Sequence, residues 1–311
     1  MTSSAGSTRS AIAALCASVT AAAIVSAAPE IQQFRSGTDL VRLSVVVTGR
    51  DGLLLRGLSS SAFEVMEDGV KQTVTAFAEG GQEEIPLHAG LLVDRSGSME
   101  MDLREATSAA IQFVNALDEA LDVTFVDFNS SIRIGRFEPQ SYPHLFERMR
   151  DQSAEGMTAL WDAVAAYLRN TEDRKGQHVL VLYTDGGDST SRLRFDQLLT
   201  MLRSGNVLVY AIGYLENQLS SSRNTGQLYL TSLAREAGGD AFFPSSAKEL
   251  NKIYARILDE IGSRYTLGYV STNTKPDGKY RKIQIKLTSP EHKSAKVRTR
   301  AGYLAPGPPG R

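Results

Sequence analysis

Long apolar segments alternate with helical segments between residues 85 and 262, and this pattern constrains the fold most. The segments "IPLHAGLLVD", "QHVLVLYTD" and "NVLVYAIGY" are almost continuously apolar, as is typical of strands buried on both faces. Residues 229–239 and several other segments between the strands have helical spacing. In one of them, a single stripe is formed by Leu103, Ala106, Ala110, Phe113, Val114 and Leu117. The alternation predicts a doubly wound α/β domain with a mostly parallel sheet.

Strand patterns with a period of two replace this alternation on both flanks. Residues 36–82 read as strands separated by turns at Asp51–Gly52 and Asp68–Gly69, and strand patterns return over residues 264–304. The simplest prediction is one small antiparallel β module formed by the N- and C-terminal flanks; two separate small units are the alternative. Residues 305–311, "APGPPGR", are predicted to be a disordered tail.

The first 28 residues have the composition of a targeting segment. Arg9 precedes an apolar run over residues 11–25, and Ser26-Ala27-Ala28 gives a small-x-small cleavage pattern. We therefore predict a cleavable signal peptide over residues 1–28 and a secreted, periplasmic or cell-envelope location. An uncleaved anchor helix is the alternative, although the run is shorter than the roughly 20 residues that span a bilayer. No other segment is apolar enough to span a membrane.

The overall composition narrows the classes of partner and of metal site. The net charge is -1, which gives no indication of a nucleic-acid partner. There are four histidines, and Cys16, the one cysteine, lies within the predicted signal peptide. Imidazole-rich and thiolate metal sites are therefore not expected in the mature chain.

Oxygen-bearing side chains occur where three of the predicted elements meet a loop. Asp94, Ser96 and Ser98 follow one buried strand, Thr158 precedes a helix, and Asp185 ends a later strand. Ligands of open α/β sheets bind at the carboxyl ends of the strands, so we expect the three segments to meet there. Simpler roles remain open for each segment: Ser98 and Thr158 can cap helices, and Asp185 can serve a turn.

The combined ligand set consists of two carboxylates and three hydroxyls. Oxygen ligands favour Mg²⁺ or Mn²⁺, and Ca²⁺ fits less well because it takes more ligands, six to eight oxygens. Hydroxyls carry no charge, so two carboxylates at most balance a divalent ion. We therefore expect the ion to attract an additional carboxylate, from an Asp or Glu of a protein partner.

Three sequence motifs resemble a known family. "VDRSGSM", "GMTALWDAV" and "VLYTDGGD" are similar to the three parts of the metal-ion-dependent adhesion site of von Willebrand factor type A domains. The resemblance covers residues 85–262, and both flanks resemble the VWFA-related proteins described from Acidobacteria. It departs at Met157, where the family often has glycine. The resemblance implies that the metal-coordinating residues are Asp94, Ser96, Ser98, Thr158 and Asp185.

A non-enzymatic protein-binding or adhesion module that depends on a divalent metal is the expected function. A metal-stabilised structural scaffold of the cell envelope is one alternative. A metal-assisted hydrolase is the other, but a serine nucleophile needs a positioned base, and no histidine falls within the three motifs.

Overall fold

The computed structural model describes residues 40–80, 86–118, 120–150, 153–216 and 218–308. The predicted signal peptide, residues 1–28, and the end of the predicted disordered tail lie outside the described residues. None of the helices in the described part combines the length and the hydrophobicity that a transmembrane helix needs.

The secondary structure of the described chain alternates as follows. The strands are β1 (Leu40–Thr48), β2 (Phe63–Glu67), β3 (Val70–Gln72), β4 (Val74–Glu79), β5 (Leu87–Asp94), β6 (Ala120–Phe128), β7 (Ile132–Phe137), β8 (Gln177–Thr184), β9 (Val207–Gly213), β10 (Ala241–Phe242), β11 (Tyr265–Val270), β12 (Tyr280–Leu287), β13 (Lys296–Arg298) and β14 (Gly302–Leu304). The α-helices are α1 (Leu103–Asn115), α2 (Tyr142–Arg150), α3 (Leu160–Thr171), α4 (Phe195–Ser204), α5 (Ser220–Glu236) and α6 (Ala247–Ser263).

A central six-stranded sheet in the order β10-β9-β8-β5-β6-β7 carries the α/β unit. Its strands run parallel except β7, which forms a hairpin with β6. Every residue of β5 is buried, because helices cover both faces. One face packs against α1, α2 and α6, and the other packs against α3, α4 and α5. The predicted doubly wound α/β fold is confirmed.

Two helices differ from the sequence-based expectation. Helix α2 was not predicted, because only Leu145 and Met149 of its nine residues are buried and the rest are mostly polar. Helix α5 begins at Ser220, well before the predicted segment 229–239. Its first half is rich in Ser, Asn and Gly, which have low helix propensity, so packing against the sheet determines its conformation.

Strands from both flanks interleave in two four-stranded sheets. One sheet has the order β13-β1-β11-β4 and the other has the order β14-β12-β2-β3, so β1 pairs with β11 and β2 pairs with β12. Leu43, Val65, Tyr265 and Tyr269 are fully buried in the core of this β sandwich. The described strands of the two flanks therefore confirm the prediction of a single β module, and they do not form two separate units.

Ion pairs connect the β sandwich to α6. Arg298 of β13 donates to the carboxylate of Glu260, which is fully buried in α6, and its Nη1 lies 3.0 Å from Asp240 Oδ2. Arg256 Nε donates to the other Glu260 oxygen at 3.1 Å. Since two guanidinium groups balance the buried carboxylate, Glu260 joins the last helix to the sandwich.

Removing the charge of Glu260 should destabilise the protein. We expect Glu260→Gln to lower the free energy of unfolding by about 3 kcal/mol, because Arg298 then keeps a partly buried charge without its strongest partner. The exposed pair Arg194–Asp196 provides the control, and Asp196→Asn should change stability little. Urea denaturation of both variants measures the difference, and equal midpoints would contradict the assigned role.

Candidate functional site

Asp94 lies at the carboxyl end of β5 and is completely buried. Its Oδ1 accepts a hydrogen bond from the Ser96 backbone N–H at 2.9 Å, and its Oδ2 accepts one from Thr184 Oγ1 at 2.6 Å. The pKa of Asp94 is raised to about 7, mainly by burial and to a small extent by the neighbouring Asp185, against the opposing effect of the hydrogen bonds from Thr184 and Ser96. The site therefore contains a desolvated carboxylate.

The two serines that follow Asp94 present their hydroxyls close together. Ser96 Oγ and Ser98 Oγ lie 3.1 Å apart, and Ser98 is part of the 3₁₀ turn Gly97–Met99. Helix α1 begins four residues after the end of this turn, at Leu103. Helix capping by Ser98 is thus wrong, because the intervening turn separates its hydroxyl from the first turn of α1. The Ser98 side chain is exposed instead.

Backbone hydrogen bonds join the segment of Thr158 to its two neighbours. On one side, Gly97 N–H donates to Gly156 O at 3.1 Å. On the other side, Thr158 N–H donates to Ser189 Oγ at 3.0 Å, and Thr158 O accepts from Ser189 N–H at 2.9 Å. Ala159, not Thr158, occupies the cap position of α3, so the capping alternative for Thr158 is wrong as well. The structure brings the three predicted segments together.

Asp185 directly follows β8, the strand next to β5, and is 4% exposed. Its Oδ1 accepts a hydrogen bond from Gly187 N–H at 2.9 Å, so the predicted turn role is present. Its Oδ2 has no hydrogen-bond partner among the described residues. The turn role therefore leaves one carboxylate oxygen available to a ligand.

The sequence does not predict two residues that position the site. Thr184 donates a hydrogen bond from its hydroxyl to Asp94. The one sequence feature that could have indicated this role is its position before Asp185 in "YTD". Gly226 lies within α5, and a Cβ there would lie 2.9 Å from the Asp185 carbonyl oxygen. A Cβ on Gly186, whose φ is +76°, would lie 2.8 Å from Gly226 Cα. A glycine inside a helical segment is the sequence feature that could have indicated this close approach between α5 and the Asp185 loop.

Positive side chains do not balance the two site carboxylates. Within the described ranges, no Arg, Lys or His forms an ion pair with Asp94 or Asp185, and the adjacent Arg95 pairs with Asp127 at 2.8 Å instead. The same ranges contain no group of three or more His, Cys, Asp or Glu arranged for a metal. A cation here would thus need hydroxyl ligands beside the two carboxylates. Such an oxygen-only set suits a hard divalent ion.

Comparison with known proteins assigns the α/β unit to a family. The family model described as von Willebrand factor type A domain matches residues 90–256, more than half of the chain. The chain belongs to this family. Domains of the family are typically modules for adhesion and protein interaction, generally without enzymatic activity. No curated protein matches the sequence.

Solved structures with a similar fold include a von Willebrand factor type A protein from Catenulispora acidiphila. Its TM-score is 0.50 at 13% identity, over 81% of this chain and 76% of that chain. The vWF domain of the type V pili tip protein Mfa5 from Porphyromonas gingivalis gives a TM-score of 0.46 at 10% identity, over 57% of this chain and 96% of that chain. At such identities the likeness concerns the fold alone.

Adding a methyl group at Gly226 should disturb the Asp185 loop. We expect Gly226→Ala to lower the free energy of unfolding by about 1–3 kcal/mol, because the new Cβ overlaps the loop backbone. Gly262 in α6 is the matched control, since nothing lies within 4 Å of its Cβ position. Gly262→Ala should stabilise the protein by up to about 1 kcal/mol. Chemical denaturation measures both changes, and the same sign for both would contradict the close approach.

The raised pKa of Asp94 predicts how the stability of the metal-free protein depends on pH. The Asp94 carboxyl has the ordinary pKa of 3.8 in the unfolded chain, whereas its pKa in the folded chain is about 7. Stability relative to Asp94→Asn should therefore fall as pH rises from 4 to 7, by at most about 4 kcal/mol, and level off above pH 7. Thermal and urea unfolding in EDTA across this range measure the effect. Parallel pH profiles for the two proteins would contradict it.

Proposed function

We propose that this chain is a divalent-metal-dependent protein-binding module that acts outside the cytoplasm. One observation supports the proposal most. Backbone hydrogen bonds hold together three segments that carry two buried carboxylates and three hydroxyls, and no cationic side chain among the described residues forms an ion pair with these carboxylates. The proposed metal ligands are Asp94, Ser96, Ser98, Thr158 and Asp185. Mg²⁺ is the proposed ion, with Mn²⁺ as a substitute and Ca²⁺ as a poorer fit.

A bound metal ion would supply positive charge at a surface that otherwise offers oxygen atoms alone. Asp94 and Asp185 together balance a divalent ion at most, and the three hydroxyls add no charge. An Asp or Glu carboxylate of the partner would therefore be the favoured additional ligand. Ser98 and Met157 are exposed beside the buried ligands, so the partner approaches from this side.

The alternatives receive less support from the site. For a hydrolase, Ser96 or Ser98 would need a base, but His88 and His178 lie near the starts of β5 and β8, at the opposite edge of the sheet. For a structural scaffold, the metal would stabilise the fold without recruiting a partner. The predicted signal peptide supports action outside the cytoplasm.

Partner binding should require both the metal and Asp94. We expect the immobilised protein to retain a partner from the envelope or extracellular fraction of its source organism in Mg²⁺, to lose it in EDTA, and to regain it when Mg²⁺ is restored. Asp94→Ala should reduce retention at least tenfold, and Asp196→Ala, at an exposed position, should not. Quantitative mass spectrometry of the eluates measures retention.

Two outcomes would separate the proposal from its alternatives. Retention that is unchanged by EDTA and by Asp94→Ala would overturn it. A large Mg²⁺-dependent rise in melting temperature without any EDTA-sensitive partner would favour the scaffold instead.

A further inference from the structure

Strand β12 has an unpaired edge over half of its length. On one side it pairs with β2 from Ile283 to Leu287, and on the other side it pairs with β14 only from Tyr280 to Lys282. The last hydrogen bond on this second side runs from Ile283 N–H to Ala301 O at 2.9 Å. Backbone groups alternate in direction along a strand, so the N–H and C=O of Ile285 face the same side. They have no backbone partner among the described residues.

The edge is open because the chain changes sheet after β12. Strand β13 pairs with β1 in the other sheet of the sandwich, and the chain returns to β12 only at β14. A groove of about 630 Å³ lies between β12 and the segment 297–301, and α5 and the start of β10 form its third wall. The groove is therefore bordered by a strand edge that can accept another strand.

Positive charge is concentrated in this groove. The cationic lining residues are Arg235, Lys282, Lys286, Arg298 and Arg300, whereas Asp240 is the one acidic residue that lines it. Asp240 is already paired with Arg298. Within the described chain, Arg235, Lys282 and Lys286 have no carboxylate partner and are exposed. Because the whole chain has a net charge of -1, this positive charge is a local feature.

The two faces of β12 define which segment would fit. Lys282 and Lys286 are exposed on the outer face, whereas Ile283 is buried and Ile285 half-buried on the inner face. A strand added beside β12 would place alternate side chains next to the lysines and the others next to the isoleucines. If acidic and apolar residues alternate in the added strand, its acidic side chains lie next to the lysines and its apolar side chains lie next to the isoleucines.

A second copy of this chain is a poor occupant of the groove. Two β12 edges that paired with each other would bring their rows of lysines close together, and like charges across strands are destabilising. Lysines at a free edge oppose such self-association. An acidic partner removes this repulsion and adds ion pairs.

We propose that the β12 groove binds an extended acidic segment of a partner protein, which adds as a strand beside Ile283–Leu287. Backbone hydrogen bonds to Ile285 provide the alignment, and Lys282, Lys286 and Arg235 pair with the acidic side chains. This site is independent of the proposed metal site and needs no metal.

The experiment uses a fluorescein-labelled decapeptide that alternates valine with aspartate or glutamate, and the full chain in EDTA. Fluorescence anisotropy should show saturable binding, which Lys282→Glu with Lys286→Glu weakens at least tenfold. Lys248→Glu with Lys252→Glu, on the exposed surface of α6, makes the same change in net charge and should leave binding unchanged. Because EDTA keeps the metal site empty, the result does not depend on the proposed function.

A second peptide, N-methylated at alternate backbone amides, tests strand addition itself. It keeps the charges but lacks the hydrogen-bond donors on one edge, so it should bind at least tenfold more weakly. Equal affinity for the two peptides would overturn strand addition, and equal affinity of both double variants would overturn the groove as the site. Sedimentation without peptide tests for a second copy at this edge. If the wild type forms a dimer and the changes at Lys282 and Lys286 alter that dimer, the edge belongs to a second copy and the proposal is overturned.

Discussion

The site depends on the burial of one carboxylate, that of Asp94, at the end of the central strand. Hydrogen bonds from Thr184 and Ser96 compensate part of its desolvation, and no cation among the described residues compensates the rest. Such a group is costly for the metal-free protein. The local structure keeps the carboxylate in place nevertheless, because the fully buried β5 anchors the residue that precedes the turn.

Sheet order explains why the other site residues meet Asp94. Since β8 lies beside β5, Thr184 and Asp185 lie at the same edge of the sheet as Asp94. Strand β6 lies on the other side of β5, and the chain continues from it through β7 and α2 to Thr158. The three segments then bond to one another through backbone groups rather than through long side chains. Backbone bonds restrict the relative positions of the segments more tightly, so the hydroxyls and carboxylates are held together before any ligand arrives.

The fold and the meeting of the three segments could be predicted from the sequence, because periodicity and strand ends are local signals. Thr184 and Gly226 could not, because their roles depend on which elements become neighbours in space: Thr184 reaches across from β8, and Gly226 admits the Asp185 loop against α5. Helix α2 was missed for a similar reason, since burial of Leu145 and Met149 defines its inner face. Metal binding itself, the identity of the ion and the ligand roles of all five residues stay predictions.

The β sandwich adds a second surface that differs from the first in its chemistry. The carboxyl edge of the central sheet offers oxygen atoms, the ligands of the proposed cation. The β12 groove is instead lined by cationic side chains and lies near the residues that begin β10, towards the amino edge. Glu260 joins the two units, because Arg298 contributes to the groove wall and to the buried ion pairs with α6. Helix α6 in turn leads directly into β11, the strand beside β1. If both proposals hold, the two surfaces would select acidic ligands by different physical means: the first through a metal ion, and the second through a strand edge with its lysines.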